Sequence, residues 1–316
     1  MKEVRPFVKW AGGKGSLIPQ LKNFYPFELE NETIIKYVEP FIGGGAVLIN
    51  ILQKYDVKEV YAFDINVDLI NCYNVIKNNV DELITKLDKM EKDFIKLEQD
   101  DRQKYFYDIR KEYNSYRINE NEQSVKRASE FIFLNRTCFN GLYRVNKSGE
   151  FNVPCGKYKN PTICDADNLR NLSYLIRNVI FQYGDYTKSE QYVDNNTFVY
   201  FDPPYRPLSV SSGFTSYTKE DFNDDNQKEL ATYYRKLNEK NAKLMLSNSN
   251  PKNTNKEDTF FEEIYKGFNI NEVSAKRMIN ANAKGRGEIS ELLITNYEEM
   301  NKCIQENSTL KKIVLN

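Results

Sequence analysis

Short apolar runs alternate with helix-patterned segments along most of this chain, and few architectures satisfy that order. Residues 34–38, 57–63, 178–183, 198–201 and 242–246 read as strands. Helical patterns lie between them, over 46–54 and from 66 or 67 onward. Strands separated by helices pair in parallel and need cover on both faces, which predicts a doubly wound, Rossmann-like α/β sheet. Segments 268–278 and 289–297 predict an antiparallel pair at the sheet edge. Residues 80–177 interrupt the alternation. They are mostly helical in pattern, except for the polar stretch 141–161, where Lys147-Ser148-Gly149 predicts a hairpin turn. The organisation expected is one α/β domain from 1–79 and 178–298, an insertion at 80–177, and a peripheral tail at 299–316.

At 316 residues, 40% hydrophobic and 28% charged, the chain has globular composition. It contains no histidine. That removes the commonest general base and metal ligand, so zinc hydrolysis and Ser-His-Asp chemistry are excluded and no metal is expected. No apolar run reaches the roughly 20 residues of a membrane helix, and the N-terminus lacks a signal-peptide core. Five scattered cysteines (72, 138, 155, 164, 303) form no CxxC pair, which fits a reduced, cytoplasmic setting. Net charge is zero, yet charge is sorted along the chain. Residues 126–160 carry seven basic and two acidic side chains, net +5, and the first 22 residues are net +4. Residues 81–101 are acidic. This sorting is what a one-sided electropositive face would require.

Three motifs carry chemistry. In YVEPFIGGGAVLIN (37–50) a strand ends at Glu39 and contiguous glycines open a helix. Asp64 ends the next strand, about 20 residues beyond the glycines, the position of a ribose-binding acid in doubly wound folds. A tight turn with a helix cap explains the glycines as well. The glycines lack the spaced G-x-G-x-x-G form of a dinucleotide site, and an acid and a proline precede them. S-adenosylmethionine, with ribose hydroxyls, an ammonium, a sulfonium and no phosphate, suits this motif better. In PFVKWAGGKGSLIPQL (6–21) the only tryptophan, Trp10, stands beside Gly12-Gly13 and Lys14. It reads either as a wall for a nucleoside or as an arm packed on the core. In TFVYFDPPY (197–205) a buried strand ends at Asp202-Pro203-Pro204-Tyr205. The Asp202 carboxylate and the Pro203 carbonyl can accept both hydrogens of one amino group, and Tyr205 can stack on the ring that bears it. The prolines hold these acceptors still.

The chain resembles the Dam-type DNA adenine methyltransferases, and among them the GATC-specific enzymes of restriction–modification systems. The resemblance spans about 7–297 and includes FVKWAGGK, YVEPFIGGGA, FDINVDLINCY, FNGLYRVN, GEFNVPCGKYKNP, DPPYRPLSVSSGFTSYT and LSNS, in family order. It implies an S-adenosylmethionine-binding catalytic domain and a helical target-recognition insertion. It further implies that Trp10, Lys14, Asp64, Asp185 and Asp202 contact the cofactor. The turn bearing Glu39, Phe41, Gly43 and Gly45 would lie beside it, and Asp202, Pro203, Pro204 and Tyr205 would form the catalytic motif. Lys9 matches a guanine contact, and Leu142, Arg144, Pro154 and Tyr158 match the recognition hairpin. Cys155 departs from the aromatic that some relatives carry there.

The partner implied is double-stranded DNA. Arg144 would read a guanine, Leu142 or Pro154 a thymine methyl, and Lys147, Lys157 and Lys159 would meet phosphates. The target adenine would flip out of the duplex, with 206–218 closing as a lid; 281–287 reads equally as a second loop near DNA or as a plain exposed hairpin tip. The resemblance leaves open whether a cognate restriction endonuclease exists in the same system, and no stable complex with one is expected; the chain is expected to be a monomer or weak dimer. Rivals are a methyltransferase of this fold acting on DNA cytosine N4, an RNA base or a protein glutamine, and a catalytically silent DNA-binding regulator. A damaged glycine turn or D-P-P-Y would mark the last, and neither is damaged.

Overall fold

The computed structural model describes residues 3–120, 122–206, 222–276 and 288–298. The expected lid beyond Arg206, the loop 281–287 and the tail 299–316 lie outside the described residues. The described elements are α1 (Ile18–Leu21), β1 (Lys36–Glu39), α2 (Ala46–Lys54), β2 (Glu59–Asp64), α3 (Val67–Asn78), α4 (Val80–Ile95), α5 (Gln99–Ser115) and α6 (Val125–Thr137). They continue with α7 (Ala166–Leu175), β3 (Val179–Tyr183), β4 (Thr197–Phe201), α8 (Asp224–Asn238), β5 (Lys243–Ser249), α9 (Phe260–Ile264), β6 (Asn269–Lys276) and β7 (Glu288–Thr295).

Among the described residues seven strands form one sheet in the order β3-β2-β1-β4-β5-β7-β6. The first five run parallel, and β7 is antiparallel to both β5 and β6. The α/β architecture read from the alternation is therefore present, with the antiparallel pair at one edge. All five residues of β4 are buried, as a central parallel strand covered on both faces requires. Its side chains alternate between two cores. Phe198 and Tyr200 join the larger apolar cluster, while Val199 and Phe201 join the other, with Leu230 and Tyr234 of α8 and Phe261 of α9.

The helices of 80–177 pack on the first of these faces. Leu83 and Leu87 of α4, Phe106 and Tyr113 of α5, and Phe131 to Leu134 of α6 belong to the same apolar cluster as Tyr37, Ala62 and Phe198 of the sheet. Local sequence sets the helix starts. The Asn66 side chain accepts from the Leu69 N–H to cap α3, Ser124 caps α6 through the Arg127 N–H, and Asn223 and Asn226 form a capping box on α8. No described helix is long and apolar enough to cross a membrane.

Candidate functional site

A cavity of about 1230 Å³ opens at the carboxyl ends of the parallel strands. It sits where β1 and β4 lie side by side and the strand order reverses, the usual ligand position in an open α/β sheet. The segments that follow β1, β2, β3 and β4 all contribute to its wall. Trp10, Lys14, Glu39, Phe41, Gly43, Gly45, Asp64, Asp185 and the Asp202–Tyr205 motif, separated by up to 195 positions in sequence, line this one space.

The glycine turn is built as much for its protein neighbours as for a ligand. Gly45 caps α2 at φ 70°, and an added Cβ would stand 2.5 Å from the Tyr73 hydroxyl. A Cβ on Gly43 would stand 2.9 Å from the Trp10 indole. The Tyr73 hydroxyl donates to Gly43 O at 2.9 Å, and the Gly43 N–H donates to Asp64 Oδ2 at 3.0 Å. Asp64 Oδ1 accepts from the Asn66 N–H at 2.9 Å. Burial pushes the Asp64 carboxyl up to about 6 against those backbone bonds. So the acid at the end of β2 fixes the turn at the end of β1.

Opposite lies the strand end of β4. Lys14 is only 3% exposed, and its Nζ stands 2.7 Å from Asp202 Oδ1. The same ammonium donates to Gly12 O at 2.6 Å and lies 4.6 Å from the centre of the Tyr205 ring. Burial pushes Asp202 up to about 6, Lys14 opposes that rise, and Glu291 adds to it. The Tyr205 hydroxyl donates to Glu291 Oε2 at 2.5 Å, so β7 sets the ring's orientation. Glu39 accepts from the Tyr37 hydroxyl at 2.7 Å, and burial holds its carboxyl well above the usual range.

The far wall is aromatic. Phe41 stacks on Tyr186 at 5.4 Å and 28°, and Asp185 caps the short turn Tyr186–Tyr192 through the Thr187 N–H at 2.9 Å. Trp10 answers both of its readings. It lines the cavity, and it stacks on Tyr143 (5.6 Å, 21°) and Phe131 (6.4 Å, 25°).

Lys9, Leu142, Arg144, Pro154 and Tyr158 are not among the described residues that line the cavity. They collect at the neighbouring hairpin. The Lys9 Nζ lies 3.4 Å from the Tyr158 hydroxyl and 4.5 Å from its ring centre. The Lys9 backbone is held in both directions by the Asn135 side chain at 2.8 Å, and Asn135 also donates to Gly141 O at 3.0 Å. Val145 and Phe151 pair across the hairpin, the Asn152 N–H donates to Arg144 O at 3.1 Å, and the turn falls on Lys147-Ser148-Gly149. Arg144 is exposed, with its Nε donating to Asn152 Oδ1 at 2.8 Å. Phe139 is an exposed aromatic, 53% accessible, at the foot of the same hairpin.

The net +5 of residues 126–160 does not form one surface. Arg127 is 1% exposed and makes a two-point pair with Asp68 at 2.8 and 2.9 Å. Arg136 donates to Phe7 O at 3.1 and 2.6 Å, and Lys126 pairs with Glu112 at 2.5 Å. Counting charge along the sequence cannot see that α6 turns these residues inward or against its neighbours. Arg144, Lys147, Lys157 and Lys159 are exposed on or beside the hairpin, and Lys126 is exposed at the start of α6 but ion-paired.

Three polar residues of this region escaped sequence reasoning, Glu291, Arg117 and Gln227, and Asn248 entered it only within LSNS, with no role assigned. Arg117 lines the cavity and donates to Gly149 O at 3.1 Å, tying the hairpin tip to the end of α5. Asn248 did leave a signal. Ser247-Asn248-Ser249-Asn250 follow directly on the apolar run 242–246, and all four are buried. Polar residues held inside a strand end need partners, and partners there are seldom idle.

The family described as D12 class N6 adenine-specific DNA methyltransferase matches residues 10–279. The type II methyltransferase M.MjaIII of Methanocaldococcus jannaschii is 53% identical over 297 residues, which cover 93% of this chain and 100% of that protein. The type II methyltransferase M1.LlaDCHI of Lactococcus lactis is 39% identical, covering 93% and 96%. The DNA adenine methylase of Escherichia coli K12 is 33% identical, covering 93% and 95%.

Proposed function

The chain belongs to the D12 class of N6 adenine-specific DNA methyltransferases, and from that premise we propose that it takes its methyl group from S-adenosylmethionine and modifies an everted adenine in GATC duplex sites. The observation that carries the reading is one cavity holding, at one end, Asp64 with its glycine turn and, at the other, Asp202 on its proline-braced strand end.

The wall fits this cofactor. Six carboxylates line it among the described residues, but Asp68 is spent on Arg127 and burial favours the neutral form of Glu39, which leaves Asp64, Asp185, Asp202 and Glu229 against Lys14 and Arg117, a balance that disfavours a pyrophosphate. Asp64 offers acceptors for ribose hydroxyls, Phe41 and Tyr186 a surface for a purine, and Asp185 an exposed carboxylate beside it. When bound, S-adenosylmethionine supplies a methyl group on a positively charged sulfur, open to displacement by an amine.

The remaining chemistry falls to the chain. Asp202, ionised above about pH 6, accepts one N6 hydrogen, and the Pro203 carbonyl accepts the other. Two such bonds draw the nitrogen lone pair out of conjugation and aim it into the cavity. Lys14 keeps Asp202 in place and ionised. Asp202 also offers a base for the proton that the amine sheds. Tyr205, braced by Glu291, stacks on the adenine. A base within the duplex cannot reach this floor, so it must swing out, at a cost of about a few kcal/mol. On the hairpin Arg144 pairs with a guanine, while Lys147, Lys157 and Lys159 meet phosphates. The type II names of two relatives support a restriction–modification setting. A cognate endonuclease that forms no stable complex, action in the cytoplasm and a monomeric or weakly dimeric state belong to the proposal and rest on the resemblance alone.

Asp202→Ala should give a folded protein that binds S-adenosylhomocysteine and transfers almost no methyl to DNA. Near-normal turnover would remove the mechanism. Single-molecule mapping of DNA treated with the wild-type enzyme should place the modified adenines in GATC, and modification elsewhere would remove that assignment.

A further inference from the structure

We propose that Gln227 and Asn248 are positioning residues for methyl transfer, a buried amide pair that staples the peptide units on either side of Tyr205. Both side chains have no solvent exposure. Gln227 Nε2 donates to Pro204 O at 3.0 Å, and Asn248 Nδ2 donates to Gln227 Oε1 at 3.0 Å. Asn248 Oδ1 then accepts from the Arg206 N–H at 3.3 Å and the Ser249 N–H at 2.9 Å. The circuit leaves the turn at the carbonyl before Tyr205 and returns at the amide after it. Its polarity is forced. Pro204 O can only accept and the two backbone N–H groups can only donate, so neither amide can be flipped without losing bonds.

The turn needs such outside partners. β4 ends at Phe201, and the next residues but one are two prolines that have no N–H to give. Gln227 lies on α8 and Asn248 on β5, the strand beside β4, so the staple refers the turn to two rigid elements. Arg206 reinforces it. Its guanidinium bonds Asp224 at 2.7 and 3.0 Å and Asp258 at 2.7 Å, while its carbonyl accepts from the Ser249 hydroxyl at 2.9 Å. An untethered Pro204–Arg206 segment would let the Tyr205 ring and the adjacent acceptors drift, and a misplacement of about 1 Å costs on the order of 100-fold in rate.

The inference rests on reading Asp202–Tyr205 as the amine-binding turn, and the test separates the two. Gln227→Met keeps size and removes both hydrogen bonds of the side chain. We expect kcat on GATC duplex to fall about 10- to 100-fold, with Kd for S-adenosylhomocysteine by calorimetry within about threefold of wild type. With 2-aminopurine at the target adenine, fluorescence should show the base leaving the stack while its steady bound signal is altered. Asn248→Ser, which fits but cannot bridge, should behave alike. Wild-type kcat in either folded variant overturns the staple. Failure of both to fold makes the pair a stability element and overturns it too. An active Asp202→Ala enzyme would instead remove the underlying reading, whatever Gln227→Met does.

Discussion

Asp202 and Asp64 hold their protons to about pH 6, because burial disfavours their charged forms. The direction matters. A raised carboxyl takes up its proton earlier on acidification, so the ionised acceptors that the proposed mechanism assigns to amine and ribose are lost sooner than at a free aspartate. We therefore expect kcat/KM to fall as pH drops through about 6, with near-UV circular dichroism unchanged over the same range. A rate that stays flat to about pH 5 would mean that neither carboxylate must be ionised. Both aspartates were legible in the sequence because each ends an apolar run. Lys14 was legible through its glycines and through resemblance, but its pairing with Asp202 was not, since 188 positions separate them and only the fold brings them to 2.7 Å. Glu291 was illegible for the same reason. Nothing local says that an acid in ISELLIT must meet a tyrosine 86 positions earlier.

The glycine turn and the hairpin each make a sharper test than any one contact. Gly45→Ala must place a Cβ 2.5 Å from the Tyr73 hydroxyl at φ 70°. We expect a loss of about 1–3 kcal/mol in urea unfolding, from left-handed backbone strain and the displaced tyrosine. An unchanged midpoint would show that the turn relaxes freely. On the hairpin, Arg144→Ala should lower discrimination between GATC and single-base variants, whereas Lys157→Ala should weaken binding to all sequences alike and reduce the salt slope by about one. Equal weakening at all sites by Arg144→Ala would make it a phosphate contact. The strands and helices of the sheet were legible within two or three residues because apolar periodicity is local. β1 begins at Lys36 rather than 34, since the Ile35 carbonyl is spent on the Lys58 and Glu59 amides as the ladder opens. The basic run was misleading because the periodicity of α6 hides which of its charges turn inward.

At the scale of the whole molecule, the helical insertion and the sheet have no separate interiors. One apolar cluster runs from Tyr37 and Phe198 through α3 to Phe106 of α5 and Phe133 of α6, and the buried Arg127–Asp68 pair crosses the same boundary. We expect scanning calorimetry to give one cooperative transition. Two resolved transitions would mean that residues 80–177 fold on their own. The same continuity gives Trp10 a second use. As the chain's lone indole, wedged between the glycine bend and Tyr143, it is a built-in optical gauge. Its emission should change both when something fills the cleft and when the hairpin shifts, so the unlabelled enzyme can report on itself.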